Sequence, residues 1–308
     1  MAAGEMLRTV TIADGIASAS IVPALGAGLS RYDLMDGGNS EPLLRPSPAK
    51  PRGPFELALN LLIPWSNRIS TSGFSYNGQF HTLAPNLKGE PYPIHGDAFQ
   101  GVWSVVETTP ISALLRFSNH GTGPFFYDAE VLYLLDKGAL TLRLKITSRS
   151  KIALPFGFGF HPWFIRSRKT RLTAPAKSVW LEDARHLPAG VISVQQKPEW
   201  DFTMARVLPA GWINNGFEGW SGTALIEWPD RRLSLSIVTD SKLSTYVVYS
   251  PSSQSDFFCF EPVSHPVDAH NLPCAPRGYG LTVLTPGESI VTSCVLTPSR
   301  TFPAELAY

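Results

Sequence analysis

The sequence predicts an all-β protein, a single domain over residues 1–308 built as a large antiparallel β-sandwich. Three observations carry this expectation. Segments with period-two alternation recur along the chain, each bounded by turn residues. Glycine (25) and proline (27) are frequent enough to interrupt most helical runs, while 17 Phe, 9 Tyr and 8 Trp suit a pleated, half-buried surface. No fixed-period repeat and no linker divides the chain, and all-β folds of this length often form one domain.

The elements follow in order. LRTVTI and IASASIV read as strands joined at Asp14-Gly15, and SRYDLMD as a third strand after Gly26-Ala27-Gly28. The proline-rich stretch 39–54 reads as a surface loop. NLLIPWSNRIS is apolar up to Pro64-Trp65 and then turns polar at Asn67-Arg68. GFSYNGQFHTL is a hairpin around Asn77-Gly78, since that dipeptide accepts the left-handed conformations of a tight hairpin turn. In Ile94-His95-Gly96-Asp97 the glycine leaves room for a ligand or another backbone. VWSVVET, ISALLRFSN, FYDAEVLYLLD and ALTLRLKITS continue the strands, with Lys137-Gly138 turning between the last two. PFGFGFHPWF opposes a helix through its glycines and prolines. The irregular region 177–204 carries one expected short helix near Val179–Arg185. Strands then close the chain, in WINNGFEGWSGTALIEW, RLSLSIVTD, LSTYVVYS, DFFCFEP, YGLTVLTP and ESIVTSCVLTP.

Composition excludes several classes of function. A net charge of +1 gives no bulk attraction to nucleic acid or anionic membrane. No apolar run reaches bilayer-spanning length. The N-terminal MAAGEMLRTVTI lacks the apolar segment of a signal peptide, and Cys259, Cys274 and Cys294 suggest neither a disulfide framework nor a zinc ribbon. Together these predict a soluble cytoplasmic protein with no nucleic-acid or membrane partner. Nothing in the residues specifies an oligomeric state.

The candidate chemistry centres on DFFCFEPVSHPVDAHN, residues 256–271. An apolar strand there delivers Glu261 just before Pro262, and alternation puts Phe257, Cys259 and Glu261 on one face. A carboxylate desolvated at a sheet rim has its pKa raised toward neutrality, as a general base requires. On this stretch alone, a rim glutamate paired with an arginine is the plainer reading. His95 and His161 stand out among the seven histidines, and with Glu261 they make a candidate acid/base set. His265, Asp268 and His270 fit no metal-binding spacing, and no metal site is expected. G-x-S-x-G and phosphate-binding glycine loops are absent. IRSRKTRL, with Arg166, Arg168, Lys169 and Arg171, reads as a guarded strand edge or an anion site.

Taken together, the motifs resemble the aldose 1-epimerase (galactose mutarotase-like) family. The resemblance rests on Asn67-Arg68-Ile69 with GFSYNGQFHTLAPN, on Ile94-His95-Gly96, on Phe160-His161-Pro162, and on Phe260-Glu261-Pro262 with Asp268-Ala269-His270-Asn271. EPVSHPVDAHN is more similar to uncharacterised bacterial mutarotase-like proteins than to the well-studied galactose enzymes. The resemblance implies a supersandwich fold, no metal, no cofactor and a small-molecule sugar partner. It implies exchange of the α and β anomers of a free sugar, with Glu261 taking the proton of the anomeric hydroxyl and His161 protonating the ring oxygen. His95 would lie beside the ring oxygen and Arg68 would bind hydroxyls. Asn214 stands where the family usually has a sugar-binding aspartate. Loss of that charge, with the basic run, raises the expectation of an anionic sugar, and Glu218, Asp97 or Asp240 could replace the aspartate. A non-catalytic carbohydrate-binding protein on the same scaffold is the alternative. A glycoside hydrolase pairing Glu218 with Glu261 is a third reading.

Overall fold

The computed structural model describes residues 8–119, 121–273, 275 and 278–300. The first seven residues, His120 and Cys274 lie outside the described residues. Strands dominate, and the helical elements are five single turns of 3₁₀ helix among the described residues. The strands form an 11-stranded and a 9-stranded sheet, with two small two-stranded ribbons, and every strand pairing is antiparallel. This is the large antiparallel sandwich that the alternating pattern predicts.

The larger sheet runs Val10–Ala13, Ala17–Val22, Gly28–Asp36, Leu59–Leu62, Gly159–Ile165, Phe257–Val263, Thr245–Ser250, Ile213–Glu218, Ser178–Glu182 and Pro188–Ser193. Asn39–Pro42 adds to the Gly28–Asp36 strand. The smaller sheet centres on Tyr127–Asp136, Ala139–Ser148 and Ser289–Ser299, whose buried and half-exposed residues alternate as in a half-buried sheet. Asn77 and Lys137, each followed by glycine, take φ of 50°, and their glycines take 75° and 82°, so both dipeptides make hairpin turns.

One core cluster fills the space between the two sheets, and it includes Tyr32, Tyr133, Phe156, Phe217, Trp228 and Phe260. Burying a phenol is costly unless its hydroxyl finds an acceptor. The Tyr32 hydroxyl donates to Gly138 O at 2.6 Å and the Tyr133 hydroxyl to Ala27 O at 2.7 Å. Each bond crosses from one sheet to the chain of the other, so these tyrosines fix the sheets relative to each other.

Two expectations are corrected. The stretch 39–54 is not wholly loop, since Asn39–Pro42 pairs with the third strand. No helix forms near Val179–Arg185. Ser178–Glu182 is a strand, paired on one side with Pro188–Ser193 and on the other with Ile213–Glu218. Asp183 then closes a turn by accepting from the backbone N–H of Arg185 and Leu187. Pairing on both edges overrides the local helical pattern.

Candidate active site

The central strands of the larger sheet carry the acid/base candidates. Gly159–Ile165 and Phe257–Val263 are neighbours, and their register is fixed at Gly159 opposite Val263 and Trp163 opposite Cys259. Counting inward from both ends puts His161 opposite Glu261. Pro162 and Pro262 lack N–H groups, so the ladder lapses between those two fixed points. The side chains close the gap, with His161 Nε2 standing 3.3 Å from Glu261 Oε1. Alternation turns Phe258 and Phe260 into the core and leaves Glu261 on the opposite face, as expected from the sequence.

Both groups are buried, at 5% and 2% exposure. Burial pushes the Glu261 carboxyl up to about 8, against the opposing pull of Arg68. Burial pushes His161 down to about 3, and the charge of Arg45 adds to the effect. Among the described residues, Glu261 Oε2 and His161 Nδ1 find no hydrogen-bond partner. The His161 ring stacks on Trp163 at 5.0 Å and 12°, and the Arg45 guanidinium lies 4.1 Å from the Trp163 ring centre. That stack fixes the plane of the imidazole.

His95 is held by backbone geometry. It has φ of 58°, and the Asn67 N–H donates to its Nδ1 at 3.0 Å. A ring nitrogen that accepts carries no proton, so the neutral ring bears its proton on Nε2. Burial, with His161 and Arg68 nearby, holds the ring well below the usual histidine range and keeps it neutral. Gly96 is required here, because a Cβ would lie 1.7 Å from Ile63 O. The room expected at Gly96 is therefore taken by backbone, which sets the His95 loop against the Leu59–Leu62 strand.

Arg68 is fixed from two directions. Its Nε and Nη2 donate to Glu90 at 2.9 Å each, a fork-to-fork pairing. Its backbone carbonyl accepts from the Asp268 N–H at 3.0 Å, while Asp268 accepts from the Ser70 N–H at 2.8 Å and from its hydroxyl at 2.6 Å. His265 accepts from the Ser66 N–H, and His270 Nε2 lies 2.9 Å from Pro155 O. The segment after Glu261 thus clamps the loop that carries Arg68. Its histidines and aspartate are committed to hydrogen bonds with other segments of the chain. Among the described residues, His161, Cys259 and Glu261 are the set whose donor atoms lie close enough to share an ion, within 4.8 Å. Cys259 and Cys294 are both free and buried.

Glu261, His161, His95 and Arg68 line a cavity of about 350 Å³, in the range of small-molecule sites, roughly 300–1,000 Å³. It brings together all five residues expected from the sequence: Glu261, His161, Arg68, His95 and Asn214. It also brings in residues to which the sequence reading gave no site role of their own, although Asn67 stood in its Asn67-Arg68-Ile69 motif. Phe55, Asn67, Glu90, Trp163, His186, Trp212 and Tyr249 line the same cavity. Trp163 was within reach of the sequence, since it lies two residues from His161 and so shares its strand face. Phe55 and Glu90 come from loops whose sequence carries no periodic signal.

Other expectations fail. None of Arg166, Arg168, Lys169 and Arg171 lines the cavity. Arg166 is buried and donates to Ser250 Oγ and Pro209 O. The basic run is therefore no anion subsite of this cavity. Glu218, Asp97 and Asp240 do not line it either. Asp97 accepts from the Tyr127 hydroxyl at 2.6 Å and from Asn119, and Asp240 accepts from the Ser293 N–H at 2.7 Å. The carboxylate beside Asn214 is instead Glu182, 3.0 Å from its Nδ2.

The family model described as aldose 1-epimerase matches residues 8–297. The chain belongs to the aldose 1-epimerase family. The members of that family are isomerases that act on small sugars. The uncharacterised protein YphB of Escherichia coli K12 is 34% identical over 286 residues, covering 88% of this chain and 97% of that one. A solved structure from Escherichia coli K12, provisionally named an aldose 1-epimerase, has a TM-score of 0.87 at 30% identity and covers 95% of this chain and 99% of its own. A galactose mutarotase-like protein from Clostridium acetobutylicum, at 19% identity, has a TM-score of 0.81 and covers 94% and 95%. The last likeness shows the fold alone. It is the mutarotase-like sandwich expected from the motifs. No helix among the described residues of this family member is long and apolar enough to cross a membrane.

Proposed function

We propose that this aldose 1-epimerase family member exchanges the α and β anomers of a free aldose, with Glu261 as base and His161 as acid. The observation that carries this reading is the buried pair itself, His161 Nε2 at 3.3 Å from Glu261 Oε1 on the wall of a sugar-sized cavity. One proton serves both groups between the low pKa of His161 and the raised pKa of Glu261. Desolvation favours the uncharged form at rest, with the proton on the carboxyl. A bound sugar that hydrogen-bonds both groups, aided by the positive charge of Arg68, moves that proton to the imidazole. The Glu261 carboxylate then takes the proton of the anomeric hydroxyl as the imidazolium gives one to the ring oxygen. The C1–O5 bond breaks and the open-chain aldehyde forms. After rotation about C1–C2 the same steps run backwards. The protein begins and ends with one proton in the pair, and no other reactant is consumed.

His95 supports the acid side with its Nε2–H, a neutral donor that suits a ring or hydroxyl oxygen. Among the described residues lining the cavity, Arg68 is the single Arg or Lys side chain, and Glu90 already neutralises it. This favours an uncharged aldose over a phosphorylated or sulfonated one. The test is anomer exchange across neutral aldoses and their 6-phosphate and 6-sulfonate counterparts. Acceleration for neutral sugars, lost in Glu261→Gln, supports the reading. Binding without acceleration would leave a carbohydrate-binding protein, and turnover confined to anionic sugars would overturn the neutral substrate.

A further inference from the structure

Glu182 gathers three polar groups at the outer wall of the cavity. It ends the Ser178–Glu182 strand and does not itself line the cavity. Its Oε2 accepts from Asn214 Nδ2 at 3.0 Å and stands 2.8 Å from His186 Nδ1, while its Oε1 accepts from Trp212 Nε1 at 2.5 Å. Asn214, His186 and Trp212 all line the cavity. A carboxylate only accepts, so this arrangement has one consistent set of hydrogens. The Asn214 amide must turn its NH₂ to Glu182, which leaves Oδ1 as the free end, and His186 must carry its proton on Nδ1, which leaves Nε2 as an acceptor in the neutral ring. The Trp212 ring is fixed at the rim, 45% exposed and edge-on to Tyr249.

The wall stands at a useful distance. Asn214 pairs with Tyr249, which pairs with Cys259, two residues before Glu261. Two strand spacings, roughly 10 Å, separate it from the strand that carries the base. The far end of a monosaccharide bound at Glu261 reaches it.

We propose that Glu182 is a positioning residue that sets specificity at the end of the sugar remote from C1. It presents Asn214 Oδ1 as an acceptor for a sugar hydroxyl and holds Trp212 as a flat surface for the sugar's apolar face. This rests on the mutarotase reading only for the identity of the ligand as a sugar. It also accounts for the amide at position 214, because an aspartate there would replace a donor to Glu182 with a second carboxylate about 3 Å away, and like charges that close repel.

The test is binding, by NMR titration, of D-glucose and D-galactose and of their deoxy and deoxyfluoro analogues at C2, C3, C4 and C6. Fluorine accepts weakly but cannot donate. At one remote position both analogues should bind about tenfold more weakly than the parent sugar. Asn214→Asp and Glu182→Gln should each weaken the parent by about tenfold, and the double variant should return to within about threefold of wild type, because a glutamine amide can donate to the new carboxylate. A merely structural role for Glu182 predicts no such rescue. Fluoro analogues that match the parent at every position, or a double variant no better than the single ones, would overturn the proposal. Anomer exchange read in the same samples separates the two ideas: the predicted binding pattern without acceleration sinks the enzymatic reading and leaves Glu182 in place. Absence of all binding sinks both.

Discussion

Replacing Glu261 by glutamine should remove the reaction and stabilise the fold, and the two effects can be separated by pH. The wild-type carboxyl is 2% exposed and pushed up to about 8 from an ordinary value near 4.5. Below pH 4.5 the folded and unfolded chains both hold the proton, and its binding costs nothing. Between 4.5 and 8 the folded chain keeps the proton while the unfolded chain releases it. Wild-type stability therefore falls as pH rises, by about 1.4 kcal/mol per pH unit and about 5 kcal/mol in total. Glutamine is nearly isosteric, does not titrate and escapes this loss. Urea unfolding at pH 5, 6, 7 and 8 reads the difference. The variant should be close to wild type at pH 5 and more stable by about 4 kcal/mol at pH 8, while anomer exchange falls to the uncatalysed rate. A stability difference that stays constant from pH 5 to 8 would refute the claim that Glu261 keeps its proton in the fold.

Further outcomes follow from the same geometry. The kcat/KM profile should be flat through neutrality and fall above about pH 8, where the pair loses its proton; an acid limb centred near the ordinary histidine range would contradict the lowered His161. Gly96→Ala forces a Cβ to within 1.7 Å of Ile63 O, and should cost about 3 kcal/mol or more in a chemical melt while lowering kcat through displacement of His95. Arg68→Lys loses the forked pairing with Glu90 and should raise KM about tenfold with a smaller change in kcat. Arg168→Ala should leave turnover of neutral and anionic sugars unchanged, whereas Arg166→Ala should lower stability by about 1–3 kcal/mol, because Ser250 and Pro209 lose a buried charged donor.

The sheets were legible because their signals are local. Alternation marks the strands, and Asn77-Gly78 and Lys137-Gly138 mark hairpins that need left-handed residues. The juxtaposition of His161 and Glu261 was legible for a related reason. Each member sits on a strand immediately before a proline, and those prolines open the ladder where the two side chains face each other. What stayed hidden depends on distant pairing. The segment Val179–Arg185 looks locally helical, and Ser178–Glu182 is drawn into a strand by partners on both edges. The basic run left an anion site open beside the guarded strand edge because charge density in sequence does not say where side chains turn, and Arg166 turns inward to Ser250. Glu182 carried no motif at all. Its place beside Asn214 arises from a strand pairing between residues more than thirty positions apart.

The most direct test of the central claim is anomer exchange at equilibrium, measured by NMR magnetisation transfer on neutral aldoses with the wild-type protein and with Glu261→Gln and His161→Asn. The account predicts faster exchange with wild type for at least one aldose and exchange at the uncatalysed rate with either variant. Acceleration that survives the loss of Glu261 or of His161 would contradict the shared-proton mechanism.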